Sequence, residues 1–173
     1  MALLLTHDQQ QAIKKMSPNN SRDYDQLATE VEELELRDLL GDALLQDLQA
    51  NPTSENNVKL LDGSTFEDCH GNTIKFKGLR YVLAYFNYAK YIGSSFVKDT
   101  NTGFVQKNRQ ESEVISEGTV NRLQIENRKI GMKEFELVKD YLNANCDTYT
   151  LWISTESKQA FAPKFHFIRK TYE

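Results

Sequence analysis

Residues 79–96 are the stretch that most constrains the fold of this chain. They carry two neighbouring stripes at helical spacing, one apolar and one of tyrosines: Leu79, Val82, Leu83, Phe86 and Ala89, then Tyr81, Tyr85, Tyr88 and Tyr91. A surface helix has one apolar stripe, so a helix with two must be covered on several sides. The pattern favours a central core helix with tyrosines at its rim. The alternative is a helix whose tyrosines contact a neighbouring subunit, a role that suits tyrosine.

Three further segments have helical patterns. Residues 7–16 predict a short helix, and residues 21–51 predict one long helix with leucines at helical spacing, ended by Asn51-Pro52. Residues 110–145 predict a last long helix, in which Gly118 and Gly131 are candidate breaks. Its apolar positions lie seven apart, and we interpret them as a core-facing seam: Leu123, Ile130 and Leu137, extended by Val120 and Tyr141.

Other segments read as extended. Residues 61–78 contain turn-forming glycines and a short alternation, which predict a β-hairpin. Residues 98–107 are polar and predict an extended segment, and alternation over residues 149–153 predicts a strand. The predicted fold is therefore mainly α: a bundle of about four helices with a β-hairpin insertion and an extended C-terminal tail. We expect a helical domain over residues 1–145 and an extended segment over residues 146–173.

The two parts of the chain carry opposite charge. Residues 1–70 hold 14 acidic and 5 basic side chains, whereas residues 71–173 hold 11 acidic and 16 basic ones. An uneven surface explains this, but so does an acidic part of one subunit that meets the basic part of the next, as in head-to-tail rings. No dense basic cluster indicates nucleic-acid recognition.

Nothing in the sequence indicates a membrane protein. No apolar run is long enough to cross a bilayer, and the short run at residues 3–5 lacks the basic leader of a signal peptide. Cys69 and Cys146 are far apart, as expected in a reducing compartment without a disulfide framework. We therefore expect the chain to remain in the cytoplasm of the cell that makes it.

The sequence contains no recognisable catalytic centre. Phosphate-binding, dinucleotide-binding and nucleophile-elbow motifs are absent, and the carboxylates lie on polar helix faces. Cys69 and His70 are adjacent, but Cys146 and His166 stand alone, so a turn is a better interpretation of this pair than a zinc site. We expect no catalytic, metal or cofactor site and no enzyme activity.

Three stretches together carry a resemblance to a known family: residues 3–6, residues 76–91 and residues 100–107. They contain, in order, a Leu-Leu-Leu-Thr opening, a Gly-Leu helix start with a helix rich in Tyr and Ala, and a Thr-x-x-Gly-x-Val segment. In this combination the chain resembles the head-to-tail connector (adaptor) proteins of tailed bacteriophages, and among them ring proteins of crAss-like and related Bacteroidetes phages. The resemblance spans residues 1–145.

The resemblance implies a virion structural protein at the portal–tail junction, assembled in the host cytoplasm. Such proteins form a twelve-subunit ring that binds the portal and other ring or tail proteins, and genomic DNA passes through its lumen without specific recognition. The aromatic residues are candidates for the subunit or portal interface: Tyr81, Tyr85, Tyr88, Phe104, Trp152, Phe161, Phe165 and Phe167. The alternatives are a neck, tail-completion or internal cargo protein of the virion, or a non-virion helical adaptor that binds a host protein.

Overall fold

The structure is a computed structural model, and it describes residues 3–16, 21–68, 70–100, 103–106 and 116–153. Within these residues the chain is mainly helical with a small antiparallel hairpin, so the predicted fold class is confirmed. No helix in the described ranges combines the length and the apolar character that a bilayer crossing needs.

Short helices build the first part of the chain. Helix α1 (His7–Ile13) begins in a capping box, in which the Thr6 side chain accepts from the Gln9 backbone and the Gln9 side chain from the Thr6 backbone. It ends three residues before the predicted end, because Lys14 takes an extended conformation. Helix α2 (Ser21–Val31) continues through a π-helical segment (Glu32–Leu36) into α3 (Arg37–Leu40).

The prediction of one long helix over residues 21–51 is wrong at Gly41. This residue has φ +83°, and α4 (Asp42–Ala50) starts on its far side in a new direction. Glycine reaches such a φ without steric cost, which leucine spacing alone does not reveal. Helix α5 (Glu55–Asp62) was not predicted, although Ser54 caps it by accepting from the Asn57 N–H.

The predicted hairpin over residues 61–78 is confirmed. Strand β1 (Thr65–Glu67) pairs antiparallel with β2 (Thr73–Lys75), so that Phe66 lies opposite Ile74. Gly63 and Gly78 close the base of this hairpin with φ of +90° and +85°. A Cβ at Gly63 would lie 2.5 Å from the Phe76 carbonyl oxygen, so the two chain segments approach as closely as only glycine permits.

Helix α6 (Leu79–Phe96) has the predicted bounds and lies at the centre of the fold. It packs along α7 (Glu117–Ala144) on one side and against α2 on another, and it also contacts α1 and α5. Helices α6 and α7 approach closely at Gly131, where a Cβ would lie 2.6 Å from the buried Phe86 ring. Of the helix predicted over residues 110–145, α7 covers Glu117–Ala144: it begins after the extended N-cap Ser116, next to the candidate break at Gly118, and Gly131 does not interrupt it. Residues 110–115 lie outside the described residues.

Strands β3 (Val97–Thr100) and β4 (Gly103–Gln106) form a second antiparallel pair, which agrees with the extended segment predicted there. The prediction of a strand over residues 149–153 is wrong, because this segment forms successive turns. The Tyr149 N–H donates to the Asn145 carbonyl, and the Trp152 N–H donates to the Tyr149 carbonyl. Tyr149 and Trp152 are therefore buried three residues apart, and Leu151 is exposed. Residues 154–173, the rest of the predicted tail, lie outside the described residues.

Candidate functional site

The tyrosines of α6 share one side of the helix. Tyr81, Tyr85 and Tyr88 follow one another at spacings of four and three, and each is half-buried. The rings of Tyr81 and Tyr85 have centroids 4.9 Å apart, and their hydroxyl oxygens are hydrogen-bonded at 3.2 Å. Tyr81 and Tyr85 thus form one aromatic pair, and Tyr88 follows on the same side of α6, as the stripe at helical spacing predicts.

Two lysines from outside α6 lie over these rings. The Lys14 ammonium, just after α1, is 5.3 Å from the Tyr85 centroid and 4.6 Å from the Tyr88 centroid. The Lys77 ammonium, just before α6, is 4.1 Å from the Tyr81 centroid. Cation–π attraction holds an ammonium at such distances. We call Lys14, Lys77, Tyr81, Tyr85 and Tyr88 the lysine–tyrosine face.

The pKa values of the two hydrogen-bonded tyrosines, Tyr81 and Tyr85, are shifted in opposite directions. The Tyr85 hydroxyl and then the Lys77 ammonium lower the pKa of Tyr81 from its ordinary value, since both stabilise the phenolate. The same hydrogen bond, followed by partial burial, raises the pKa of Tyr85 to about 12. A positively charged aromatic surface of this kind attracts anionic side chains.

The face continues onto α7. The backbone N–H of Lys77 donates to the Glu134 carboxylate, so this side of α7 borders the lysines and tyrosines. Ile130 lies one turn before Glu134 on the same side and is 42% exposed. The predicted seam through Leu123, Ile130 and Leu137 is thus only partly core-facing, and Ile130 extends the lysine–tyrosine face with an aliphatic side chain.

A second surface lies on the outer side of the π-helical segment and α3. Leu34 is 61% exposed there, with the exposed carboxylates of Glu33 beside it and Asp38 one turn further on. We call Glu33, Leu34 and Asp38 the acidic ridge. Among the described residues, neither of these two carboxylates forms an ion pair, whereas neighbouring acidic side chains do.

The neighbouring acidic side chains are engaged within the subunit. Glu30 pairs with Lys90 of α6 at 2.7 Å, and Glu35 pairs with Arg128 of α7 at 3.1 Å. Burial raises the pKa of Glu35, and the Arg128 charge opposes this shift. The two ion pairs border an open groove of ≈ 450 Å³, which is also lined by the exposed Ile125.

The prediction that the carboxylates lie on polar helix faces is wrong for Glu32, which is buried. Its carboxylate is buried and accepts from the Leu4 N–H at 2.8 Å and from the Gln49 amide at 3.3 Å. The Leu4 carbonyl in turn accepts from Arg80 at 2.9 Å, so both polar groups of this N-terminal residue are bound. A signal was present, since Glu32 lies four residues after Ala28 and four before Leu36, both of which are buried.

The structure brings together only part of the predicted interface. Tyr81, Tyr85 and Tyr88 share one surface, whereas Trp152 is buried in the core and donates to the Asn143 side chain at 2.8 Å. Phe104 belongs to β4, a separate hairpin, and nothing is described of its side chain. The remaining three candidates lie outside the described residues: Phe161, Phe165 and Phe167.

The described residues that could bind a metal ion do not form a cluster. Among the described side chains, no group of three or more His, Cys, Asp and Glu is arranged to hold a metal ion. His70 is exposed in the turn between β1 and β2, where its backbone N–H donates to the Asp68 carboxylate at 2.9 Å. This agrees with a turn at Cys69-His70, although Cys69 itself lies outside the described residues.

Comparison with known proteins gives a family but no activity. The chain matches no curated protein and no solved structure. Residues 36–162 match the model of DUF6712, described as a family of unknown function. This region contains Asp38 of the acidic ridge, all of α6 with its tyrosines, and α7. Because the match covers well over half of the 173 residues, the chain belongs to the DUF6712 family.

Proposed function

We propose that the protein is a subunit of a homo-oligomeric ring that lies between the portal and the tail of a bacteriophage. In this position it extends the DNA channel and docks tail proteins. The observation that carries the proposal is the exposure of aliphatic side chains on two different sides of one small helical domain. Leu34 protrudes from the π-helical segment, and Ile130 from the side of α7 that carries Glu134.

Exposed aliphatic side chains of this kind need a partner when they belong to a larger surface. Ile130 lies next to a row of three tyrosines, and Leu34 lies between carboxylates, as in interface cores with polar rims. A subunit of a closed ring has two neighbours and therefore two such surfaces. The resemblance of residues 76–91 and residues 100–107 to phage connector proteins supports the portal–tail junction and a twelve-fold ring.

The protein would act by assembling into a ring and not by chemical catalysis. Each subunit presents one surface to each neighbour, and the ring surrounds a lumen through which genomic DNA passes without base recognition. The portal binds on one side of the ring and other ring or tail proteins bind on the other. The proposal requires no catalytic group and no cofactor.

Native mass spectrometry and negative-stain electron microscopy of the purified full-length chain test this proposal, with and without the portal protein. We expect ring particles, with twelve copies as the resemblance implies. A chain that stays monomeric at high concentration and also with the portal would exclude the connector role.

A second measurement separates the alternatives within the virion. Mass spectrometry of tail-less capsids should detect the protein together with the portal if it is a connector. Detection only in complete particles would favour a neck or tail-completion protein. A stable monomer that is absent from purified particles would favour an adaptor that binds a host protein.

A further inference from the structure

We propose that the lysine–tyrosine face of one copy binds the acidic ridge of a second copy, head to tail. This inference rests on the proposed function and names the two surfaces that meet between neighbouring subunits. The occupant of each surface is thus another copy of the same chain.

Charge complementarity is the first argument. Within the described ranges, the ammonium groups of Lys14 and Lys77 lie over tyrosine rings, and Lys77 is also hydrogen-bonded to the Tyr81 hydroxyl, but neither forms an ion pair. The carboxylates of Glu33 and Asp38 likewise form no ion pair there, although Glu30 and Glu35 beside them are paired within the subunit. The domain therefore pairs Glu30 and Glu35 internally. It leaves two positive charges without an ion pair on the lysine–tyrosine face and two negative charges without one on the acidic ridge.

The spacing of the charges also agrees. Along α6, Lys77 lies over Tyr81 and Lys14 lies between Tyr85 and Tyr88, a separation of about 8 Å at the rise of an α-helix. Glu33 and Asp38 are five residues apart in a segment that is partly π-helical, which corresponds to about 7.5 Å at the rise of an α-helix. The two pairs of charges are thus similarly spaced along their helix axes.

The apolar groups between the charges complete the match. Leu34 lies between Glu33 and Asp38 and exposes most of its side chain. On the other surface, the tyrosine rings and the exposed Ile130 lie beside the two lysines. Leu34 of one copy would be covered by these rings, and the tyrosine hydroxyls would remain at the edge, where they find polar partners.

The two surfaces lie on different elements and share no residue, so the contact is heterologous. Helix α2 reaches α6 through the hydrogen bond of Tyr24 with Asn87 and the ion pair of Glu30 with Lys90. Asn87 and Tyr85 are two residues apart, which places them about 200° apart around the helix. A contact between two different surfaces of identical subunits repeats from copy to copy and closes into a ring when the rotation permits.

A charge-swap experiment on the full-length chain tests this inference. The first variant carries Lys14→Glu and Lys77→Glu, and the second carries Glu33→Lys and Asp38→Lys. All four side chains lie at the surface, and circular dichroism and thermal melting verify that each variant is folded. A third variant, Lys129→Glu on the exposed side of α7, is the control for charge reversal elsewhere.

Sedimentation velocity should show self-association weakened at least tenfold in each double variant and unchanged in the control. A one-to-one mixture of the two double variants should restore association, because an acidic ridge again meets a basic face and the reversed pair is also complementary. The single change Leu34→Ser, which leaves the charges intact, should weaken association of the otherwise wild-type chain about tenfold.

Double variants that associate like the wild type would overturn the inference, and so would folded variants whose mixture stays monomeric. Electron microscopy of the wild type separates the inference from the proposed function. Open filaments that respond to the charge swap would keep the contact and exclude the ring. Wild-type rings that persist in both variants would keep the ring and exclude this contact, and a monomeric wild type would exclude both.

Discussion

At the scale of single residues, Glu32 shows how the polar groups of the N-terminal segment are accommodated in the core. Leu4 and Leu5 are buried, so their backbone groups need partners inside the protein. The Glu32 carboxylate, the Arg80 side chain and the Tyr24 hydroxyl provide them. Burial raises the pKa of Glu32 above its ordinary value, against the effect of these hydrogen bonds.

The raised pKa makes the stability depend on pH in a defined direction. The folded chain holds the Glu32 proton more tightly than the unfolded chain, in which the carboxyl titrates at its ordinary value of 4.5. The free energy of unfolding contributed by this group therefore falls as the pH rises from the ordinary pKa through the raised one. In Glu32→Gln this decline should disappear, because the amide does not titrate and keeps an oxygen that accepts from Leu4.

Urea unfolding of both chains across this pH range measures the effect. Glu35, whose pKa is raised in the same direction, remains in both chains, so the difference between the two profiles isolates Glu32. Glu67→Gln is the control, since this side chain is exposed on β1, away from the helices around Glu32. Parallel profiles for the wild type and Glu32→Gln would show that the Glu32 carboxyl is not buried as described.

The turns after α7 give a second prediction at this scale. Trp152 is 8% exposed and Leu151 is 44% exposed, although alternation over residues 149–153 places Leu151 on the same face as Tyr149. Trp152→Ala should lower the free energy of unfolding by about 3 kcal/mol, because it removes a large buried side chain. Leu151→Ala should change it by less than about 0.5 kcal/mol. Chemical denaturation measures both free energies of unfolding, and equal losses in the two variants would contradict the turn conformation of residues 149–153.

At the scale of elements, the packing of α6 on α7 positions the lysine–tyrosine face. Gly131 lets the two helices approach at Phe86, and the Gln124 side chain donates to the Ala89 carbonyl at 3.3 Å one turn further along α6. This contact fixes the side of α6 that α7 covers, and it thereby leaves the tyrosines at the edge of the interface. A change in this approach would displace Ile130 relative to Tyr81 and Tyr85.

Two glycines of α7 form a matched pair for a test of this packing. Gly131→Ala should destabilise the fold by about 1–3 kcal/mol, because the added methyl group collides with the buried Phe86 ring. Gly118→Ala should stabilise it by up to about 1 kcal/mol, because the position is helical with open space around it. The melting temperatures of both variants distinguish an effect of packing from an effect of helix propensity. A higher melting temperature for both would contradict the close approach of α6 and α7 at Gly131.

At the scale of the whole molecule, the proposed contact joins opposite charges across a surface that water reaches. Its strength should therefore fall with ionic strength, since salt screens exposed charges over about 10 Å at 0.1 M. We expect self-association of the wild-type chain to weaken when salt rises from about 0.05 M to about 0.5 M, over which the screening length shortens several-fold. Sedimentation equilibrium measures this, and association that strengthens with salt would indicate an apolar contact instead.

Much of the fold was predictable where local pattern and burial agree. The helix at Leu79–Phe96 and the hairpin within residues 61–78 were predicted from spacing and turn residues. Helix α5 and the break at Gly41 were not, because a short capped helix and a single positive φ leave a weak periodic signal. Of the candidate interface, the tyrosines on α6 share one surface, but Trp152 is buried because aromatic content alone does not distinguish core from surface.

The sequence by itself determined which side chains share a face of each helix that it predicts, because the helical period sets the direction of every residue around the axis. It also determined the opposite charge of the two parts of the chain. Only the tertiary structure decided that Lys14 and Lys77, which are 63 residues apart in the chain, lie over the same row of tyrosines. The physical reason is that long-range packing, here α1 and the hairpin docked on α6, selects among faces that local patterns leave equivalent.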